Sequence, residues 1–267
     1  MTPSHTHSAV PSRRTFVSAA ISGVVLSALP RDAAPQGRPT SPRARILVFD
    51  VNETMLDIAA LEPHFAKAFG DPAVLREWFS TLLLYSNVVS LAGPYADFGA
   101  LAGAALDMVA NARGARLAPE DRTRILAGTR TLPAHPDVRP ALERLRKEGF
   151  RTVTLTNSAP AAVAQQLQFA GLADLFEASF SVDAVKRFKP AAEPYRYTAE
   201  QLGVAIGDLR LVAAHAWDIV GALQAGCVAA FVARPGKVLY PLGPQPDIVV
   251  PDFRLLVDQI LARDAGR

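Results

Sequence analysis

Cysteine is nearly absent from this sequence: Cys227 is the only one among 267 residues. That excludes an intramolecular disulfide and a thiolate metal cluster, and the apolar setting GCVAAFVA makes Cys227 a small core residue. Aromatic residues are sparse, at 7%, and nowhere interleave with a basic run, so the footprint of a nucleic-acid binder is missing. No internal repeat is present. The apolar run from Ala19 to Leu29 falls short of the roughly 20 residues that a bilayer span needs. A general excess of positive charge is lacking too. The formal net charge is +3, but residues 1–44 hold five arginines (Arg13, Arg14, Arg31, Arg38, Arg43) against Asp32, so the body of the chain is close to neutral.

What is present begins with a 50% hydrophobic content, enough for a packed globule of one large domain or a core with a sizeable insertion. Ser12-Arg13-Arg14-Thr15-Phe16-Val17 precedes the short apolar run and reads as a twin-arginine export signal, with a basic disordered tail as the alternative. Pro30 to Pro42 reads as a flexible lead-in. Residues 1–44 are therefore expected to be a signal and linker, and the mature protein to be exported to the periplasm with no membrane attachment once the signal is removed.

Arg45 to Asp50 (RILVFD) is a short apolar run ending in an acid, the pattern of a strand buried on both faces of a parallel sheet. Comparable runs follow at Arg151 to Thr156, Leu209 to Ala214 and Val228 to Ala233, with a weaker one at Asp247 to Val250. Helical stretches lie between them at Val138 to Glu148, Pro160 to Phe169, Pro194 to Leu202 and Asp218 to Gln224. This alternation predicts an α/β core with a parallel sheet. From Ile58 to Leu132 there is no convincing strand. Apolar residues there recur at helical spacing (Leu75, Phe79, Leu82, Leu83; Leu101, Ala105, Met108, Val109), which predicts a helical cap over residues 58–132 and a core of 45–57 and 133–267. In open α/β sheets ligands sit outside the carboxyl ends of the strands, where a module inserted after the first strand would cover them.

Polar residues gather at the ends of three predicted strands: Asp50-Val51-Asn52-Glu53-Thr54, Thr156-Asn157-Ser158 and His215-Ala216-Trp217-Asp218, with Lys189 between the last two. A lone acid after a strand is usually a cap or turn residue. Jointly, the segments VFDVNETMLD, TLTNS, SVDAVKRFKPAAEPY and AAHAWDIVGALQAG resemble the haloacid dehalogenase superfamily, and within it the L-2-haloacid dehalogenases, from Arg45 to about Leu261.

That resemblance implies a Rossmann-like parallel-sheet core with an α-helical cap. It also implies hydrolysis of short 2-haloalkanoic acids to 2-hydroxy acids. Asp50 would displace halide and form an ester, and water would attack the ester carbonyl, so the substrate carbon stays inverted. Lys189 would keep Asp50 ionised and remain protonated in return. Backbone N–H groups around Val51 and Asn52 would hold the substrate carboxylate, and Thr54 would brace the nucleophile or serve as a cap. Thr156 and Asn157 would contact substrate and halide. Phe98 and Tyr195 would line the site, with a stacked core position as the alternative for Tyr195. Asp218 would orient Lys189 or the hydrolytic water. A homodimer is frequent in the resembling family.

Phosphatases of the same superfamily place a second Asp two residues after the nucleophile, to protonate an alkoxide. Asn52 stands there, and an amide cannot donate a titratable proton, whereas halide leaves without one. Of the acids that would hold Mg²⁺, only Asp218 remains, so no metal and no cofactor are expected. Two departures from the dehalogenase pattern stand out. Phe79 occupies the position of a cap Arg that holds halide, with Arg76 one turn earlier as a substitute or a solvated helix residue. His215 and Ala213 replace Asn and Ser. His215 is expected to act as a water-activating base or substrate contact, and a related leaving group such as fluoride is conceivable with its help. Trp217 is expected to pack between core and cap. The alternatives are a phosphate- or phosphonate-ester hydrolase, or an exported binding protein on the same fold.

Overall fold

The computed structural model describes residues 46–264. The export signal expected over residues 1–44 lies outside that range. Six strands form one parallel sheet in the order β3-β2-β1-β4-β5-β6. These are β1 (Ile46–Phe49), β2 (Arg151–Thr156), β3 (Ala178–Ser181), β4 (Leu209–Ala213), β5 (Val228–Val232) and β6 (Ile248–Val250). β1 is central: Val48 is in register with Val153 of β2 on one side and Leu211 of β4 on the other. Its side chains alternate between two cores, Leu47 and Phe49 packing on one face of the sheet and Ile46 and Val48 on the other. Burial on both faces, at about 1.5–3 kcal/mol per large side chain, is why the strand reads as a continuous apolar run.

Five helices cover the sheet: α5 (Val138–Lys147), α6 (Pro160–Phe169), α7 (Ala192–Leu202), α8 (Ala216–Ala225) and α9 (Phe253–Asp264). Pro160 starts α6, where its missing N–H costs nothing. Gly226 ends α8 at φ 107°, a backbone conformation that side chains disfavour. Before them come α1 (Glu62–Phe69), α2 (Val74–Ala92), α3 (Phe98–Ala112) and α4 (Pro119–Gly128), with no strand among them. This is the helical cap inserted after the first strand. The chain leaves and re-enters the core through one neck, where Asp57 N–H donates to Pro133 O at 2.8 Å and His135 N–H donates to Met55 O at 2.9 Å.

Two elements escaped the sequence reading. β3 (ASFS) is a short edge strand, half-buried and rich in small residues; α9 is a helix that packs on α5 and β6. The cap stripe is also narrower than its spacing suggests. Leu101, Ala105 and Val109 are buried, but Met108 is 40% exposed. Helix α9 is anchored by a buried charge in mid-strand: Arg210 of β4 donates to both oxygens of Asp264, at 2.6 and 3.0 Å, and to Asp247.

Candidate active site

The chain reverses its direction of travel across the sheet at β1, so the carboxyl ends of β1, β2 and β4 converge. Asp50 follows β1, its N–H held by Val212 O at 3.0 Å, and its side chain enters a buried cluster. Thr54 Oγ1 donates to Asp50 Oδ2 at 2.6 Å and accepts from Ala214 N–H at 2.9 Å. Lys189 Nζ donates to Asp50 Oδ1 at 2.9 Å, Asp218 Oδ2 at 2.6 Å and Leu155 O at 2.9 Å. All three ammonium hydrogens are thereby satisfied in a fully buried position. The backbone of Lys189 is fixed separately: its N–H donates to Asn157 Oδ1 at 3.1 Å, and that of Phe188 donates to Ser90 Oγ of the cap at 2.9 Å.

Burial by itself would raise the pKa of Asp50. The Lys189 ammonium, His215 and the Thr54 hydroxyl overcome it and hold the carboxyl well below the usual range. Burial would equally discharge Lys189, but Asp218 and Asp50 raise it, so the amine is an ammonium. Asp218 is pushed the other way: burial, with the charge of Asp50 adding to it, raises its carboxyl against the opposing pull of Lys189. The two carboxylates are thus differentiated, one held ionised and one able to take a proton.

His215 does not fit the role of a base. Its Nδ1 lies 3.1 Å from Asp50 Oδ2 and its Nε2 lies 2.7 Å from Glu53 Oε2, so both ring nitrogens face carboxylates. Burial opposes charge on the ring, but the bonds to Asp50 and Glu53 outweigh it and push its pKa up to about 9. An imidazolium with both hydrogens engaged cannot accept a proton from water. The ring lies between Trp217, stacked at 5.0 Å, and Phe79 of the cap at 6.5 Å. Trp217, expected between core and cap, rests on His215.

Thr156 and Tyr195 also depart from their expected substrate contacts. Thr156 is buried and its Oγ1 accepts from Ser158 N–H at 3.1 Å, closing the turn after β2. Tyr195 is buried beneath Asp218 and donates to Asp218 Oδ1 at 2.5 Å, so it is the core tyrosine of the two alternatives. Gly221 permits this, since a Cβ there would meet Tyr195 OH at 2.7 Å. Asn157 spends Oδ1 on Lys189, and its amide N–H₂ has no protein partner among the described residues. The Val51 side chain is core, and the N–H groups of Val51 and Asn52 form no hydrogen bond among the described residues.

Two cavities lie where the cap meets the core. A smaller one of about 400 Å³ is lined by Asn52, Ser158 and Gln166 of the core and by an apolar cap wall that includes Trp78, Phe79, Leu82 and Phe98. A larger one of about 840 Å³ is lined by Glu53, Arg76, Arg234 and Lys237, with Phe79 shared between the two. Arg76, read from the sequence as either a substitute for a halide-holding cap Arg or a solvated helix residue, lines the larger cavity and not the one bordered by Asn52. Asn52 is fixed by Gln166, whose Nε2 donates to Asn52 Oδ1 at 3.0 Å and to Thr129 O of the cap at 2.8 Å. Glu53 and Gln166 were missed by sequence reading. Glu53 gave one usable signal, a charged residue inside the motif VFDVNETMLD; Gln166 gave none.

The haloacid dehalogenase-like hydrolase family model matches residues 44–226. (S)-2-haloacid dehalogenase 1 of Pseudomonas sp. strain CBS-3 is 30% identical over 204 residues, 75% of this chain and 90% of that protein. (S)-2-haloacid dehalogenase of Pseudomonas sp. strain YL is 27% identical, covering 79% of this chain and 92% of that one. The solved structure of L-2-haloacid dehalogenase from Xanthobacter autotrophicus with chloropropionic acid covalently bound superposes with a TM-score of 0.77 at 25% identity, over 84% of this chain and 100% of that one. With this fold, this strand-end cluster and a family match across more than half its length, the chain belongs to the haloacid dehalogenase-like hydrolases.

Proposed function

We propose that the protein hydrolyses the carbon–halogen bond of short (S)-2-haloalkanoic acids, giving 2-hydroxy acids and halide through an ester on Asp50. The observation that carries this is the pairing of a buried Asp50 carboxylate with the Lys189 ammonium at 2.9 Å. A carboxylate so held is ionised yet almost free of water, the state a nucleophile needs. Asp50 attacks C2 from behind and the halide leaves with the bonding pair, needing no general acid. The N–H groups of Val51 and Asn52 offer an anion site for the substrate carboxylate, and the Asn157 amide offers a further donor. Phe98 and Phe79 form the apolar wall facing the substrate side chain. Water then attacks Cγ of Asp50 and restores the carboxylate.

The test is halide release from (S)-2-chloropropionate, with mass analysis of the peptide containing Asp50 after turnover in ¹⁸O-water. Halide release with ¹⁸O in the Asp50 carboxylate is expected, and Asp50→Asn abolishes both. Turnover with no label in Asp50 would overturn the covalent route.

Export by the twin-arginine route is proposed on the sequence Ser12 to Val17 and the apolar run that follows. A fusion of residues 1–44 to a reporter that is active only after export tests it, with Arg13→Lys/Arg14→Lys expected to retain the reporter inside.

A further inference from the structure

Asp50 presents two unequal oxygens. Oδ2 accepts from Thr54 Oγ1 at 2.6 Å and faces His215 Nδ1 at 3.1 Å, whereas Oδ1 accepts from Lys189 alone at 2.9 Å. The oxygen with fewer donors keeps a lone pair for attack on carbon, so Oδ1 becomes the ester oxygen and Oδ2 the ester carbonyl. When water adds to Cγ, the carbonyl pair moves onto Oδ2, and negative charge develops where the His215 and Thr54 donors already point. Preorganised donors aimed at developing charge in a water-poor site are the largest common contribution to catalysis.

The histidine can donate there only if something keeps it protonated after Asp50 has lost its charge to the ester. Glu53 does this. Ionised, it is acceptor-only, so Nε2 must carry a hydrogen at 2.7 Å; the Asp50 carboxylate demands one on Nδ1 as well, and the ring is an imidazolium. Glu53 is aimed by an unusual backbone, φ 61° for a non-glycine residue, and steadied by Lys237 Nζ at 2.7 Å. We propose that His215 is a catalytic residue for the second half-reaction, stabilising the oxyanion on Asp50 Oδ2, and that Glu53 is the positioning residue that keeps it cationic. This rests on the dehalogenase function given above.

The step balances within the cluster. The water oxygen bonds to Cγ as one proton passes to Asp218; the Cγ–Oδ1 bond breaks with its electron pair on Oδ1. Lys189 protonates Oδ1, which leaves as the hydroxyl of the 2-hydroxy acid, and Asp218 returns its proton to Lys189 across their 2.6 Å contact. The second water proton remains on Asp50 as a carboxylic acid and is lost to solvent. The charged groups around His215 are Asp50 and Glu53 in direct contact, Lys237 on Glu53, and Lys189, which lies 5.9 Å over the Trp217 ring stacked on His215; the cap brings the uncharged Phe79 ring to 6.5 Å, tilted against the imidazole.

Single-turnover mixing of excess enzyme with (S)-2-bromopropionate, following bromide and the mass of the Asp50 peptide, separates the two half-reactions. In His215→Ala, bromide release is expected within about tenfold of the wild type while ester hydrolysis slows about 100-fold, so the ester accumulates on Asp50. In Glu53→Gln, which keeps an acceptor but loses the charge, ester hydrolysis is expected to decline as pH rises through the ordinary histidine range near 6.5. The wild type is expected to hold to a higher pH than Glu53→Gln, because the Glu53 carboxylate still faces Nε2 when Asp50 is an ester. Should His215→Ala fail to fold, the pH profile of Glu53→Gln decides. Bromide release by the wild type with no ester build-up in His215→Ala, or an unshifted profile in Glu53→Gln, overturns this assignment alone. No bromide from the wild type overturns the dehalogenase function and this assignment with it.

Discussion

Lys189 Nζ lies closer to Asp218 Oδ2, at 2.6 Å, than to Asp50 Oδ1, at 2.9 Å. The ammonium is thus seated on Asp218 and presented to the nucleophile. Asp218→Asn removes the seat and the proton acceptor together, and a fall in kcat of about 100-fold or more is expected. Tyr195→Phe removes only the hydroxyl that holds Asp218 Oδ1. It should cost about 1.5–3 kcal/mol of stability, read by denaturant unfolding, with a much smaller effect on kcat.

Removing Lys189 leaves Asp50 and Asp218 buried without their cation. Lys189→Met is expected to be inactive and to lose about 3–5 kcal/mol of stability near neutral pH. Part of that loss should be recovered in acid, because protonation discharges the stranded carboxylates. Urea midpoints at pH 7 and pH 5 check this, and a loss of the same size at both values would contradict it.

The His215 pair links stability to alkaline pH. Its pKa is raised in the folded protein to about 9 from the ordinary value of 6.5. The contribution is therefore complete below about pH 6.5 and fades as pH rises through about 9. The slope is at most about 1.4 kcal/mol per pH unit for one proton. Wild-type stability should fall between pH 7 and 9 more steeply than that of Glu53→Gln, as measured by thermal unfolding across that interval.

Gln166 ties the Asn52 loop to the cap, so Gln166→Ala should act mainly on substrate binding. It orphans Asn52 Oδ1 and loosens Thr129 O. A cost of about 1–3 kcal/mol in stability and a rise in KM larger than the fall in kcat are expected from steady-state halide release.

Arg210 tests the separation of scaffold from chemistry. It is buried in β4 and bonded to Asp264 and Asp247. Arg210→Met strands these acids at the α9 end of the domain and should cost about 3–5 kcal/mol, while kcat of the protein that remains folded is unchanged.

Much of this molecule was legible as a linear pattern. Strand β2 at Arg151–Thr156 and helix α6 at Pro160–Phe169 fall where apolar runs and helix starts place them, because period and capping are local properties. Asp50 after β1, Lys189 in the loop beyond β3 and Asp218 in the first turn of α8 were identifiable together, since a parallel sheet brings the segments that follow its strands to one edge. Helix α9 and strand β3 were not, because what stabilises them is non-local: Arg210 reaches Asp264 across 54 positions, and Ser179 takes a hydrogen bond from Thr154 of β2.

The sequence by itself determined that a carboxylate, an ammonium and a second carboxylate meet under a helical lid. Only the tertiary structure decided their protonation. Whether His215 is a base or a cation depends on the acids its two nitrogens meet, and Glu53 reaches it across 162 positions of chain through a backbone conformation that no pattern of residue types encodes. Charge in a buried cluster is set by distances of about 3 Å between side chains, and such distances exist only once the chain has folded.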